Sequence, residues 1–199
     1  MISIYKMRGK LSRIFVFFLF AMVFMFGSYW EDTVLGEMLF IFGVVLISFA
    51  TIGRVWCTFY IAGHKTKLLV TEGPYSMCQN PLYFCSFVGA IGVGFLTETF
   101  TMPLVVAVCF GLYYPGIIKM EQNRLRKVHG QLLDDYQKKT PVFWPSLANY
   151  NEPKDYPADP VIFRKHLMDS VVFIMMIGVA EVIELLHLHN IIGIFTTLY

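Results

Sequence analysis

Four long stretches of this chain carry almost no charge, and this feature constrains the fold more than any other. The stretches are residues 14–30, 33–53, 73–97 and 99–118. Glu37 is the one charged residue among them, and each stretch is close to the roughly 20 apolar residues that a helix needs to cross the hydrocarbon of a bilayer. A fifth apolar stretch, 166–188, contains three acidic residues. The pattern predicts an all-α integral membrane protein with about five transmembrane helices.

The composition indicates the same class of protein. The 199 residues are 56% hydrophobic and 15% charged, whereas a soluble domain is about 25% charged. A soluble core of this size could not bury so much apolar surface, so the bilayer must act as part of the solvent. The length allows one domain, and we expect residues 1–199 to form a single membrane domain.

Positive charge is confined to three parts of the chain. The 16 Lys and Arg residues lie at 6–13, 54–67 and 119–165. Because cytoplasmic loops collect Lys and Arg, this distribution predicts a multi-pass protein with a cytoplasmic N-terminus, in the cytoplasmic membrane if the source is bacterial. The net charge is only +2, so anionic membrane lipids, and not nucleic acids, are the expected partners of these basic residues.

The segments between the apolar stretches define the organisation of the chain. The second stretch continues as a helix to about Gly63, and a three-residue turn at 97–99 makes the third and fourth helices antiparallel neighbours. Apolar residues at helical spacing predict an amphipathic cytoplasmic helix over 119–139, continuous with the fourth stretch. A Pro-rich cytoplasmic linker, 147–165, then leads to a C-terminal helical segment, 166–199.

Polar residues lie directly before the apolar part of the third stretch. Gly73-Pro74-Tyr75 is a turn signal, and Pro81 suits the first turn of a helix, where its missing N–H costs nothing. Asn80 is a favourable N-cap residue. The free N–H groups at this helix start, together with the helix dipole, favour a carboxylate or another anion.

A second polar pair, Glu121-Gln122, follows the fourth stretch. The hairpin of the third and fourth helices brings this pair beside Asn80 and Pro81 at one face of the membrane. A carboxylate that faces a helix start can hold an ammonium group or ribose hydroxyls between them. A solvated surface glutamate is the simpler interpretation of Glu121 taken alone.

Both polar segments resemble sequences of a known family. LVTEGPY at 69–75 and QNPLY at 79–83 resemble the LVTxGPYxxxRHPxY signature of isoprenylcysteine carboxyl methyltransferase-like membrane proteins, which are related to phospholipid N-methyltransferases. EQNRLRKVHGQLLDDYQKKTPVFWP at 121–145 is similar to that family's EExxLxxxFGxxYxxYxxxVPxxxP. The resemblance covers about residues 54–146, which we interpret as the motif-bearing, cofactor-binding core.

The resemblance implies a small helical enzyme that binds S-adenosylmethionine from the cytoplasmic side and methylates a lipid-like acceptor that enters from the bilayer. The cofactor-binding residues that it implies are Lys67, Leu68, Leu69, Val70, Tyr75, Asn80, Pro81, Leu82, Tyr83, Glu121 and Gln122. Methyl transfer from a sulfonium needs alignment and exclusion of water more than acid–base groups. Catalytic residues therefore stay open, with His64, Tyr83, Glu121 and His129 as candidates to remove a proton from an amine or alcohol acceptor.

The chain departs from the family pattern in the residues that carry charge. Gln79 and Asn80 replace the Arg and His of the first motif, and Gln122 replaces the second acid of the paired glutamates. Ile117 stands where the prenylcysteine enzymes have an Arg that meets the substrate carboxylate. Arg is suited to bidentate carboxylate binding, so its absence weakens the case for a carboxylate acceptor. The acceptor atom stays open between O, N and S.

Two other functions are compatible with the same residues. An NADPH-dependent membrane reductase, similar in C-terminal architecture to some sterol reductases, needs several basic residues near Asn80 and Glu121. The chain offers Lys65, Lys67, Arg124, Arg126 and Lys127. A non-catalytic membrane binding protein would explain Gln79, Asn80 and Gln122 as traces of lost activity.

The residue types that ligate metals do not form a site in the sequence. The four cysteines are Cys57, Cys78, Cys85 and Cys109. They show no CxxC pairing, so neither a zinc site nor a disulfide framework is expected. Glu184 and His187 lie one helical turn apart, but a carboxylate-bridged metal site needs several such pairs. We expect no bound metal, and the sequence leaves the oligomeric state open.

Overall fold

The computed structural model describes residues 26–31, 33–63, 68–189, 191 and 196–199, and every structural statement below concerns these residues. Their helices are α1 (Val34–Ile61), α2 (Pro74–Met77), α3 (Pro81–Phe95), α4 (Thr101–His129), α5 (Gln131–Lys139) and α6 (Pro160–Leu188). A 3-10 turn covers Leu147–Asn149, and two three-residue strands, β1 (Phe26–Ser28) and β2 (Thr196–Leu198), pair in parallel. The predicted all-α fold is confirmed.

Among the described residues, three helices are long and apolar enough to cross a membrane. They are α1, α4 and α6, with 28, 29 and 29 residues. The 15 residues of α3 rise only about 22 Å, less than the roughly 30 Å of hydrocarbon in a bilayer. The prediction of a helical membrane protein is therefore confirmed, whereas the number of five spans is not.

The first predicted span, 14–30, is wrong at its C-terminal end. Residues 14–25 lie outside the described part of the chain. Residues 26–28 form β1 and not a helix, because their backbone pairs with β2. The strand pairing continues where Tyr29 N–H donates to Leu198 O at 2.8 Å. A pairing between such distant segments leaves no periodic pattern in either one.

The antiparallel helices α1 and α3 touch backbone to backbone, and glycines permit this approach. A Cβ atom added to Gly43 would lie 2.7 Å from Gly92 O, and one added to Gly53 would lie 2.6 Å from Cys85 Sγ. Ile47 is fully buried in the same interface. Small residues allow close helix packing in lipid, and the glycines of the third apolar stretch serve this purpose here.

The helix α4 is longer than the fourth apolar stretch. It continues without interruption to His129, so the predicted continuity between the apolar and amphipathic segments is confirmed as far as that residue. Gly130 then adopts a φ of +51°, which an α-helix does not accommodate. The single amphipathic helix predicted over 119–139 is therefore divided into the end of α4 and the short helix α5.

The last long helix, α6, begins earlier than the start predicted at residue 166. Its first residue is Pro160, and the side chain of Asp159 accepts hydrogen bonds from Val161 N–H at 2.9 Å and Ile162 N–H at 3.1 Å. This N-cap ends the Pro-rich linker at Asp159. Beyond α6, the described residues include β2, so the C-terminal segment is not helical throughout.

Candidate functional site

The segment before α3 is held in a compact turn. Gly73 has a φ of +58°, and a Cβ atom at this position would lie 2.3 Å from the Tyr60 ring, so no side chain fits. After this turn, Tyr136 Oη donates to Tyr75 O at 2.6 Å. Burial raises the pKa of both phenols, Tyr75 and Tyr136, well above the usual range. Tyr136 therefore remains a hydrogen-bond donor at neutral pH and fixes the turn against α5.

The start of α3 is not capped by the side chain of Asn80, so the interpretation of Asn80 as an N-cap is wrong in this respect. The side-chain Nδ2 of Asn80 donates to Val142 O at 2.9 Å, while the main-chain carbonyl of Asn80 accepts from Tyr83 N–H at 3.1 Å. Pro81 has no N–H. The Leu82 amide is therefore the first one at this helix start, and it finds no acceptor among the described residues.

Gln79 connects three parts of the chain. Its Nε2 donates to Thr140 O at 2.6 Å, and its main-chain N–H donates to Pro141 O at 2.8 Å. Its Oε1 accepts from Gln122 Nε2 at 3.1 Å. The two polar segments expected to lie side by side, before α3 and within α4, therefore touch each other.

Glu121 precedes this contact by one residue on α4. Its side chain is 24% exposed and forms an ion pair with Arg124, with 2.6 Å between Oε1 and the guanidinium. The two residues are three apart on one face of the helix. The pair orients the carboxylate at the surface of α4, next to the residue that contacts Gln79.

Aromatic rings pack on the apolar side of this contact. Tyr83 on α3 lies edge-on to Tyr114 on α4, with ring centroids 5.3 Å apart, and Tyr114 stacks on Phe110 at 3.5 Å. Phe143, from the segment after α5, lies 6.0 Å from Phe110 and 5.9 Å from Phe87. We call these five rings, contributed by α3, α4 and the segment after α5, the aromatic cluster.

The predicted cofactor residues fall into separate groups. The group that the structure brings together consists of Asn80, Pro81, Leu82, Tyr83, Glu121 and Gln122. Leu68, Leu69 and Val70 form an irregular segment before the Gly73 turn, and Leu68 is 62% exposed. Lys67 lies outside the described residues. Tyr75 is half-buried in α2, directly after the turn, and its role in cofactor binding stays a prediction.

The candidates for proton removal are also distributed. Tyr83 and Glu121 lie at the contact described above. His129 stands at the end of α4, and its Nε2 is buried without a hydrogen-bond partner in the described ranges. His64 lies outside the described residues.

Sequence reasoning missed the roles of two residues, Tyr114 and Arg54. Tyr114 sits in an apolar stretch where nothing distinguishes it from a packing residue. Arg54 was interpreted only as a charge that orients the chain, yet its guanidinium donates to Ser86 Oγ on α3. The signal for Arg54 was present in the sequence, because the helix containing it was predicted to continue to Gly63.

A cavity of about 50 Å³ lies at the opposite end of the bundle. The ionisable residues that line it are Glu31, Glu98, Glu184 and His187. Within the described ranges, no group of three or more His, Cys, Asp and Glu side chains is placed to hold a metal ion.

Comparison with known proteins gives the class of this chain. The family model described as phospholipid methyltransferase matches residues 31–132. The nickel-cobalt-cadmium resistance protein NccN of Alcaligenes xylosoxydans xylosoxydans is 40% identical over 158 residues, which make up 79% of this chain and 74% of NccN. The cobalt-zinc-cadmium resistance protein CzcN of Cupriavidus metallidurans is 35% identical over 175 residues, 88% of this chain and 81% of CzcN. No solved structure matches the chain.

The family match covers most of the site described above. It includes the turn at Gly73, the start of α3 and the Glu121-Gln122 pair. The resemblance found in the sequence is thereby confirmed at the level of this family, and assignment to the isoprenylcysteine branch stays a prediction. The names of the two relatives concern metal resistance and specify no methyl acceptor. The chain is a helical membrane protein and belongs to the phospholipid methyltransferase family.

Proposed function

We propose that the chain is an S-adenosylmethionine-dependent methyltransferase that acts on a lipid-like acceptor embedded in the membrane. The observation that carries this proposal is the 3.1 Å hydrogen bond between Gln79 and Gln122. It joins the start of α3 to α4, so the two motifs of the family resemblance form parts of one site.

The polar groups at this site suit the cofactor. When bound, S-adenosylmethionine supplies a methyl group on a sulfonium, and it also carries a carboxylate, an ammonium group, a ribose and an adenine. The Leu82 amide at the positive end of the α3 dipole suits the carboxylate. The Glu121 carboxylate suits the ammonium group or the ribose hydroxyls. The irregular main chain at 68–70 presents N–H and C=O groups that an adenine edge can use.

The aromatic cluster suits the transfer step. Tyr83 and Tyr114 offer ring faces, which attract a cation such as a sulfonium. The surrounding rings are apolar, and methyl transfer benefits from a dry, aligned site because charge is neutralised in the reaction. If the methylated atom carries a proton, Glu121 is the candidate to remove it. Its half-buried carboxylate is next to Gln122, which forms the contact with Gln79.

In this proposal the site faces the cytoplasm. Arg54 and the basic residues of 119–164 lie toward the end of the bundle that holds the site. The acidic residues Glu31 and Glu98 lie at the other end, around the small cavity. The positive-inside rule therefore supports cofactor binding from the cytoplasm and acceptor entry from the lipid.

Ligand-induced stabilisation tests the proposal. The full chain, purified in a neutral detergent, should unfold at a higher temperature with S-adenosylhomocysteine, because a ligand that binds the folded state stabilises it by mass action. Glu121→Ala should weaken the affinity for S-adenosylhomocysteine by about tenfold or more, which is the loss expected for one charge-assisted hydrogen bond. The matched control is Glu181→Ala, which removes an exposed carboxylate on α6 and should leave the response unchanged.

NADPH serves as the second ligand in this experiment. The reductase interpretation needs basic side chains at the site, but Arg124 is paired with Glu121 at 2.6 Å and Arg126 with Asp134 at 2.7 Å. We therefore expect no stabilisation by NADPH. Stabilisation by NADPH alone would replace the proposal with a reductase, and stabilisation by neither ligand would favour a non-catalytic binding protein.

A further inference from the structure

Arg54 is a charged residue inside a helix that can span the membrane. It lies in α1, where Gly53 contacts Cys85 of α3, so its backbone is level with the first half of α3. Ionisable residues at membrane depth are costly and generally face the bundle interior or a cavity, where they mark functional sites. The surroundings of this guanidinium therefore indicate what it binds.

The guanidinium lies between three helices. Its Nη1 donates to Ser86 Oγ on α3, and its Cζ lies 5.3 Å from the centre of the Phe173 ring on α6. Its Nε is buried and has no hydrogen-bond partner in the described part of the chain. The titratable groups close enough to act on its charge are Tyr114, Cys85, Asp169 and Cys57. A guanidinium has five N–H donors; in the described part of the chain one of them bonds to Ser86 Oγ and the buried Nε–H bonds to nothing.

A second buried polar atom lies on the adjoining face of α6. Ser170 is fully buried, and its Oγ has no hydrogen-bond partner within the described residues. Ser170 precedes Phe173 by three positions, so both face the same side of the helix. Buried polar atoms in native proteins are nearly always paired. Two unpaired ones on facing helices indicate a ligand group that accepts hydrogen bonds.

This position adjoins the proposed methyl-transfer site. Ser86 Oγ, which accepts from Arg54, donates in turn to Leu82 O at 2.7 Å. Leu82 and Tyr83 lie in the first turn of α3, and Tyr83 contacts Tyr114. Tyr114 is also one of the titratable groups that act on the charge of Arg54. The guanidinium therefore lies directly on the lipid-bilayer side of the residues that suit the cofactor.

We propose that Arg54 binds the anionic headgroup of the methyl acceptor, a phosphate or carboxylate carried on an acyl or prenyl chain, between α1, α3 and α6. This inference rests on the proposed function and adds the substrate class to it. It also supplies the fixed cation that the sequence lacks at Ile117, because a guanidinium binds both oxyanions through paired N–H groups. Asp169, exposed on α6, is the carboxylate that acts on the charge of Arg54 and would compete with a bound anion.

Amphiphiles that share one chain and differ in headgroup test this inference. The full chain in neutral detergent is titrated with dodecyl phosphate, dodecanoate and dodecanol, and unfolding temperature is the readout. We expect the two anions to bind about tenfold or more tightly than dodecanol, as a charge-assisted pair predicts. The stronger of the two identifies the headgroup as a phosphate or a carboxylate. Equal binding of all three amphiphiles refutes the inference without any variant.

Three variants separate anion binding from a structural role of Arg54. Arg54→Gln should remove the preference for the anions, and Arg54→Lys should retain part of it. Asp169→Asn removes the competing carboxylate and should leave the preference equal or larger. A preference that is lost equally in Asp169→Asn and Arg54→Gln would mean that the two residues form a structural pair, which overturns the inference. If Arg54→Gln does not fold, the inference is tested by the anion preference of Arg54→Lys and by the comparison of the three amphiphiles in the wild type.

S-adenosylhomocysteine distinguishes the two proposals from each other. Its stabilising effect should be the same in Arg54→Lys and Asp169→Asn as in the wild type, because neither residue belongs to the cofactor group. A chain that responds to dodecyl phosphate but not to S-adenosylhomocysteine refutes the proposed function alone. A chain that responds to S-adenosylhomocysteine but shows no preference for anions refutes this inference alone.

Discussion

Gln79 and Gln122 replace an Arg and a Glu of the family pattern, and their side chains contact each other at 3.1 Å. The two replacements are therefore one change, in which a neutral amide pair stands where opposite charges would meet. An amide donates and accepts at once, whereas a guanidinium only donates. Gln79 uses both capacities, since it also donates to Thr140 O.

The paired replacement leads to a prediction for a double-mutant cycle. Gln79→Arg and Gln122→Glu should each destabilise the fold by about 1–3 kcal/mol, because each leaves a charge beside a neutral amide. The double variant should be less destabilised than the sum of the two, since it forms an ion pair. Thermal unfolding of the four chains measures the coupling. Additive effects would show that the two side chains do not interact.

Most single residues at the site could be named from the sequence because the motifs contain them. The position of Asn80 was predictable, but its partner was not, because the choice between its own helix and Val142 O depends on where the chain returns after α5. Arg54 was visible as a charge in a predicted helix. Its contact with Ser86 depends on the register between α1 and α3, which no local pattern specifies.

At the scale of elements, the interface of α1 and α3 determines where the site lies. The two backbones approach so closely at Gly43 and Gly92 that neither position has room for a side chain. This contact sets the register that puts Arg54 opposite Ser86. The hairpin of α3 and α4 was predictable from three residues at 97–99, whereas β1 and β2 were not, since strands of three residues have no measurable periodicity.

Glycine-to-alanine substitutions test the α1–α3 interface. Gly92→Ala should destabilise the fold by about 1–3 kcal/mol, because the new methyl group would lie 2.9 Å from Gly43 O and from Ile47. The matched control is Gly111→Ala on α4, where an added Cβ meets nothing within 4 Å. It should be neutral or stabilise the helix by up to about 1 kcal/mol. Equal stability of the two variants, measured by thermal unfolding, would contradict the packing.

At the scale of the whole molecule, the polar and basic end is separated from the acidic end by the lengths of α1, α4 and α6. The site, α5 and the linker before α6 occupy one end. The turn after α3 occupies the other, where Thr101 N–H donates to Tyr199 O at 2.8 Å. Composition alone predicted the membrane class, and the charge pattern predicted which loops share a side. The number of spans could not be predicted from composition, because it depends on the helix lengths that the structure shows.

Accessibility to a membrane-impermeant maleimide tests this arrangement. Lys154→Cys lies in the exposed linker at the site end, and Val34→Cys lies at the start of α1, where the native side chain is 75% exposed. In intact cells, we expect labelling of Val34→Cys and none of Lys154→Cys until the membrane is permeabilised. The reverse result would show that the topology is the opposite of the predicted one. Labelling of both variants in intact cells would contradict the separation of the two ends by the membrane.

The shortness of α3 has a consequence for how an acceptor is presented. Because this helix of 15 residues rises about 22 Å against roughly 30 Å of hydrocarbon, its two ends cannot both reach the planes where lipid phosphates ordinarily rest. In the proposed reaction, a first turn of α3 that lies within the leaflet lets an anchored acceptor meet the methyl donor by a small vertical displacement, without extraction. Each methylene that stays in the hydrocarbon avoids about 0.8 kcal/mol of exposure to water, so long-chain and short-chain acceptors reach the donor at nearly the same cost.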